Sequence, residues 1–306
     1  MYKDFIKIFC KQQINSKLIQ NKNLKDLTTF KINCTTRIFV DICCIEDLFL
    51  FFKLIRQFKL KTFCLGGGSK ILFCKSRLDY VVYTLSGDFD KIFLCDNTII
   101  AGSGVTMAKL CNFCNRHNLS CVEWGLGIPC KVGGGVYTNA GCFGKSFGDI
   151  VKYVVYTDGD KLFIKDNLSC EFSYRKSFFY NKNFTILFVG LNVKPSVEDI
   201  KSITIANFNK KVSCQPYNYP SVGSIFKSNI LPAPIFIENF GLKGLKIGGA
   251  EVSTKHCGFV VNKKNAKARN VLKIICKIKK TVWKKSGIIL YNEVILLGEK
   301  TNGFFG

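Results

Sequence analysis

The run Phe63-Cys64-Leu65-Gly66-Gly67-Gly68-Ser69-Lys70-Ile71-Leu72 decides how this chain is read. A short apolar strand ends abruptly in three glycines and a serine. With no Cβ in the way, consecutive backbone N–H groups can converge on one point. Such a nest can hold a diphosphate, with the serine hydroxyl as a further donor. A tight turn also uses clustered glycines, so the run by itself leaves both readings open.

A second glycine segment lies downstream. Gly125-Leu126-Gly127-Ile128-Pro129 is followed by Gly133-Gly134-Gly135-Val136-Tyr137-Thr138-Asn139-Ala140-Gly141. Small residues let backbone lie flat against a large planar ligand. A solvated linker would avoid the apolar Ile128, Val132, Val136 and Tyr137. The common nucleotide signatures fail here. Around Gly144-Lys145-Ser146 the P-loop pattern lacks its first glycine. The G-x-G-x-x-G pattern meets Met107 after Gly102-Ser103-Gly104, and Cys130 after Gly125-Leu126-Gly127. A doubly wound dinucleotide domain is not supported.

Around these segments the texture alternates. Asp4 to Ile19 reads as a helix, Ile38 to Ile42 as a strand, Glu46 to Phe58 as a helix and Phe63 to Leu65 as a strand. That β-α-β order suggests a small α/β unit. Short β-rich runs begin at Tyr80, interrupted by a helix from Thr106 to His117, and Thr185 to Val193 closes this part. Pro195 to Asp199 reads as a boundary. Beyond it come a helix from Asp199 to Lys211, a turn at Pro220 to Ser224, a helix near Ala233 to Phe240, a long basic helix within Lys263 to Lys285 and a strand over Ile288 to Leu297.

Bulk properties narrow the classes. The chain has 306 residues, 47% of them hydrophobic, which suits two packed domains. Its net charge of +24 would suit a nucleic acid, a membrane surface or an anionic substrate. The lysines are spread along the chain, however, and the basic helix alternates with Val271, Leu272, Ile274 and Ile275, which reads as a solvated face. The richness in Lys, Asn, Ile and Phe reads as compositional drift. Sixteen cysteines are scattered. Cys111, Cys114 and His117 find no second ligand pair for zinc. Met1 to Lys11 lacks the apolar core of a secretory segment, and no run reaches the length of a membrane span. A reducing cytoplasm with free thiols and no metal is the expectation.

Taken in order, Leu65 to Ser69 with Ile71-Leu72, Gly127-Ile128-Pro129, Val132-Gly133-Gly134 and Asn139-Ala140-Gly141 resemble the flavin-binding half of the UDP-N-acetylenolpyruvoylglucosamine reductase (MurB) family. The wider group of flavin oxidases that share the domain is similar more loosely. Phe172-Ser173-Tyr174-Arg175, Gly223-Ser224-Ile225-Phe226-Lys227, Gly241 to Gly244, Ile247 to Ser253, His256 to Asn262 and Asn292-Glu293-Val294 resemble the reductases and not the oxidases. The resemblance runs from about Leu24 to Leu297. Its compact spacing after Arg175 is that of the shorter, type II-like variant.

The resemblance implies an α+β fold. An FAD-binding domain of the PCMH/vanillyl-alcohol-oxidase type would span 1–195, in two α/β subdomains of about 1–79 and 80–195. A C-terminal α+β substrate domain would span 196–306. It implies reduction of the enolpyruvyl ether of UDP-N-acetylglucosamine to UDP-N-acetylmuramate, by NADPH through FAD, in peptidoglycan precursor synthesis. Ser224 would be the proton donor, Arg175 the holder of the substrate carboxylate and Glu293 its partner at the intermediate. Gly66, Gly67, Gly68, Ser69, Gly127, Ile128, Pro129, Gly133, Gly134, Thr138, Asn139 and Gly141 would bind the cofactor. Tyr174, Lys227 and Lys246 would bind substrate. A cytoplasmic monomer with small-molecule partners only, neither nucleic acid nor membrane insertion, completes the expectation.

Taken singly, each residue has a plainer reading. Ser224 suits an ordinary turn, Arg175 a surface ion pair, and Glu293 an outward charge on a strand. Departures from the family pattern fall at Asn33-Cys34, Cys130, Val212 (where a basic residue is usual) and Ser228-Asn229. Two rival functions remain: another flavin oxidoreductase on the same scaffold, and a non-enzymatic basic binding protein.

Overall fold

The computed structural model describes residues 1–228 and 230–298. Of the departures above, Asn229 lies outside the described residues. The chain forms two compact units. One comprises 1–22, 37–67 and 79–210, and the other 23–36, 68–78 and 211–306. The chain stays in the first unit beyond Pro195 for a local reason. Residues 194–195 pair with 119–120. The Asn118 amide donates to the Ser196 carbonyl at 2.7 Å, and Asn118 Oδ1 accepts from the Ile200 amide. These bonds keep the chain in the first unit well past the proline. Conversely, Ile71–Phe73 runs parallel to Ile295–Leu297, which draws an early segment into the second unit.

The first unit has two cores. In one, α1 (Tyr2–Gln12) and α2 (Ile45–Gln57) cover a sheet of strand order Lys17–Asn23, Thr35–Ile42, Arg77–Leu85, Thr62–Cys64. Phe5 and Phe9 stack on each other and meet Phe51 edge to face, in one core with Ile38, Val40, Val81 and Tyr83. The helix expected over Asp4 to Ile19 stops at Gln12. The reason is Asp47, whose buried carboxylate accepts from the amides of Ile14 (2.7 Å), Asn15 (3.0 Å) and Ser16 (2.9 Å). The chain is thereby turned into the edge strand.

The other core lies on an antiparallel five-stranded sheet ordered Leu162–Asp166, Val151–Thr157, Thr185–Asn192, Thr98–Gly102, Ile92–Cys95. On it pack α3 (Met107–Arg116), capped by the Thr106 hydroxyl, and the glycine-rich α4 (Val132–Tyr137). Tyr83 Oη and Thr185 Oγ1, 2.7 Å apart and buried, join the two sheets. After them α5 runs over Ile200–Cys214.

In the second unit a four-stranded antiparallel sheet has the order Ser221–Ser224, Phe259–Asn262, Ala250–Val252, Lys246–Ile247. The short α6 (Ala233–Asn239) and the long α7 (Ala268–Ser286) share its core. Val271, Ile274, Ile275, Ile278 and Val282 are buried at helical spacing. The basic helix starts five residues later than its lysine-rich run, because Asn262 Oδ1 takes the Ala266 amide and Asn265 turns left-handed at φ 47°. It ends at Gly287, φ 69°. The strand expected over Ile288 to Leu297 is broken into Tyr291–Asn292 and Ile295–Leu297. All sixteen cysteines are free thiols. Among the described residues no group of ligating side chains suits a metal, and no helix is long and apolar enough to cross a membrane.

Candidate active site

The two glycine segments meet in the first unit. A Cβ on Gly67 would fall 2.6 Å from the Pro129 carbonyl oxygen, so only glycine fits there. At Gly66 the nearest atoms to an added Cβ are Gly134 Cα and N, at 3.7 and 3.9 Å, and in front of Gly134 nothing lies within 4 Å. Gly134 thus presents bare backbone to open space, with Gly66 packed beside it. That arrangement fits the flat ring system and diphosphate of a flavin dinucleotide better than it fits a plain turn, which would have no need of the second glycine.

Neighbouring bonds set this wall. Gly133 lies against Ser103, its amide donating to the Ser103 carbonyl at 3.0 Å. Gly127, at φ 86°, leads into Ile128 and Pro129. Thr138 Oγ1 donates to the Gly134 carbonyl at 3.0 Å. Gly141 leaves no space for a side chain, since a Cβ would lie 2.1 Å from the Lys145 carbonyl oxygen. Gly68 and Ser69 fall in the second unit, where Gly68 takes φ 61° and accepts the Thr29 amide at 3.1 Å.

Arg175 stands on a loop held to this region. Asn139, itself left-handed and buried, donates through its side-chain amide to the Ser173 carbonyl at 2.9 Å and accepts from the Gly148 amide at 2.8 Å. The Arg175 guanidinium donates to the carbonyls of Gly141 at 3.1 Å and Asn139 at 3.4 Å, and lies 5.0 Å from the centre of the exposed Tyr174 ring. Arg175 takes φ 56°, a left-handed conformation that costs a non-glycine residue energy.

Ser224 and Glu293 lie in the second unit. Ser224 ends its strand just after Gly223, φ 76°, and its hydroxyl donates to the Phe226 carbonyl at 3.1 Å. The Glu293 amide donates to the Ile225 carbonyl at 2.8 Å, beside the paired residues Phe226 and Asn292. Glu293 therefore sits in the break between two short strands and not within one strand. Its side chain is only 6% exposed and is ion-paired with Lys70. A lone carboxylate so placed would be costly.

Lys70, the partner of Glu293, is not singled out in the sequence analysis. The available signal was a charged side chain wedged between Ser69 and the fully buried Ile71-Leu72-Phe73. Of the other substrate candidates, Lys227 is half-buried on the ladder with Tyr291. Lys246 is exposed at a sheet edge, 3.7 Å from Glu251. Near Val212, the Lys255 ammonium donates to the Val212 carbonyl at 2.6 Å. His256 accepts the Gly258 amide at 3.1 Å on Nδ1, and burial lowers its pKa.

Comparison with known proteins gives these positions a setting. Residues 38–160 match a family model described as an FAD binding domain. Residues 215–297 match one described as the C-terminal domain of UDP-N-acetylenolpyruvoylglucosamine reductase. An α+β chain carrying both is a flavin-dependent oxidoreductase by class.

Reductases of that name from Borrelia garinii subsp. bavariensis and Borreliella burgdorferi are each 37% identical over 291 residues. These matches cover 92% of this chain and 94% and 95% of theirs. The crystal structure of the Thermus caldophilus reductase (MurB) superposes with a TM-score of 0.78 at 26% identity, over 93% of this chain and 99% of that one. The chain belongs to the UDP-N-acetylenolpyruvoylglucosamine reductase family.

Proposed function

We propose that this chain reduces the enolpyruvyl ether of UDP-N-acetylglucosamine to UDP-N-acetylmuramate, using NADPH, as a cytoplasmic step of peptidoglycan precursor synthesis. The observation that carries the reading beyond a generic flavoprotein is the Glu293 amide bonded to the Ile225 carbonyl at 2.8 Å. The bond ties the backbone of a residue with a buried carboxylate to the residue after Ser224 in the same unit, which supports the reading. FAD, when bound, supplies a carrier that takes hydride from NADPH and gives it to the alkene. Residues before Pro195, chiefly Gly66 to Gly68, Ser69, Gly127 to Pro129, Gly133, Gly134, Thr138, Asn139 and Gly141, hold that group. Residues after it, together with Tyr174 and Arg175, hold the nucleotide sugar.

The chain's own side chains answer the charge that hydride addition creates. Negative charge builds on the carbon next to the substrate carboxylate. Arg175 binds that carboxylate through its planar fork and stabilises the developing enolate. The hydride goes to the terminal methylene, and Ser224 delivers a proton to the charge-bearing carbon next to the carboxylate. Glu293 works with Arg175 at that stage. Tyr174, Lys227 and Lys246 bind the substrate, and the enzyme acts as a monomer on small molecules.

The test is a coupled assay. Purified protein should carry flavin and consume one NADPH for each UDP-N-acetylmuramate formed from the enolpyruvyl ether. A flavin-free protein, or one that oxidises NADPH only at the expense of oxygen, would refute the reading. The second of these results would favour another flavin oxidoreductase.

A further inference from the structure

We propose that Lys70 is a positioning residue for this reduction: its ammonium holds the Glu293 carboxylate in place beside the serine turn and offsets its charge. The inference rests on the function proposed above and extends it to a residue that function does not require by itself.

The geometry fastens the pair from three sides. The Lys70 ammonium is ion-paired with Glu293 Oε1, and the Glu293 side chain is 6% exposed against 26% for Lys70. The Lys70 carbonyl accepts the Ile295 amide at 2.8 Å, and the Ile71–Phe73 strand continues in parallel register along Ile295–Leu297. On the other side the Glu293 amide is bonded to Ile225, the residue that follows Ser224. Glu293 thus has its backbone tied to the serine turn and its side chain tied to the segment that continues the Gly66–Ser69 run.

The chemistry calls for such a tie. Hydride transfer to the enolpyruvyl group places new negative charge close to the substrate's own carboxylate. A second carboxylate with uncompensated charge would oppose that step. A paired one does not, and it keeps a fixed orientation through turnover.

The test uses K70Q and K70R in the full-length holoprotein, with the two half-reactions followed separately in the absence of oxygen. K70Q should retain flavin and its spectrum, and NADPH should reduce it at the wild-type rate. Reoxidation by saturating enolpyruvyl UDP-N-acetylglucosamine should slow by about 10- to 100-fold, and K70R should restore most of the loss. Three results would overturn the proposal: wild-type reoxidation in K70Q, no rescue by K70R, or loss of flavin from K70Q, which would make Lys70 a cofactor ligand. A double-mutant cycle of K70Q with E293Q, read as urea stability, separates this from failure of the proposed function. Coupling of the two residues is expected whatever the substrate proves to be, and additivity would overturn the pair.

Discussion

Glu293 donates its backbone amide to Ile225 at 2.8 Å, joining two segments that stand 68 positions apart in the chain. That single bond sets the Glu293 backbone against the residue that follows Ser224. It also makes the order of the motifs in the sequence a statement about chemistry.

Replacing Ser224 by alanine removes the proposed proton donor without removing any partner from the Glu293 amide. The variant should accept electrons from NADPH normally, and the subsequent transfer to substrate should fall by about 10²- to 10⁴-fold, the usual weight of a general acid. Stopped-flow absorbance of the flavin checks this.

Arg175 and Glu293 are proposed to act as a unit. R175Q and E293Q should each lower kcat by more than about 100-fold. The double variant should be little worse than the poorer single one, because groups that serve one intermediate are not additive. Steady-state rates of the three variants decide the matter.

The glycines of the proposed cofactor wall should separate into two kinds. A side chain on Gly67 meets the Pro129 carbonyl, so G67A should destabilise the protein itself by about 1–3 kcal/mol. Gly134 faces open space. G134V should leave the stability of flavin-free protein within about 1 kcal/mol while abolishing flavin retention. Urea melts and cofactor content after gel filtration give both answers.

Acid should destabilise the fold in two stages. Burial lowers the pKa of His256 from its usual 6.5. The unfolded chain then binds the extra proton, and stability declines as pH falls below about 6.5. For Asp47, burial alone would raise the pKa, but hydrogen bonds from Ser16, Ile14 and Asn15 outweigh it and the net direction is down. Its contribution is complete above the unfolded value near 3.8 and is lost as pH drops through the folded one. D47N should cost about 1–3 kcal/mol at pH 7 and should flatten the lower limb. Urea midpoints between pH 3 and 8 test both parts.

Much of the fold was legible because local patterns and tertiary needs agree. The β-rich run Tyr80 to Leu85, part of the strand Arg77–Leu85, and the helical spacing of Val271, Ile274, Ile275 and Ile278 announce their elements directly. The glycine wall was legible as a motif, although its two halves meet only through folding. What escaped was set by long-range side-chain bonds. Asp47 ends a helix 35 residues before it in sequence, and Asn262 delays the start of α7. Lys70 finds Glu293 across more than two hundred residues. Nothing near Lys70 in the sequence names its partner, so a lysine after a glycine run read as one more charge in a basic chain. The strand break at Glu293 was hidden for a similar reason: apolar residues on both sides mimic one continuous strand.

The most direct measurement is a single turnover under nitrogen. Protein first bleached with one equivalent of NADPH is mixed with enolpyruvyl UDP-N-acetylglucosamine, and the oxidised flavin band is followed. Full recovery of the band, with one UDP-N-acetylmuramate formed per flavin, is the predicted result. A band that stays bleached in the presence of substrate and returns only when air is admitted would contradict the account.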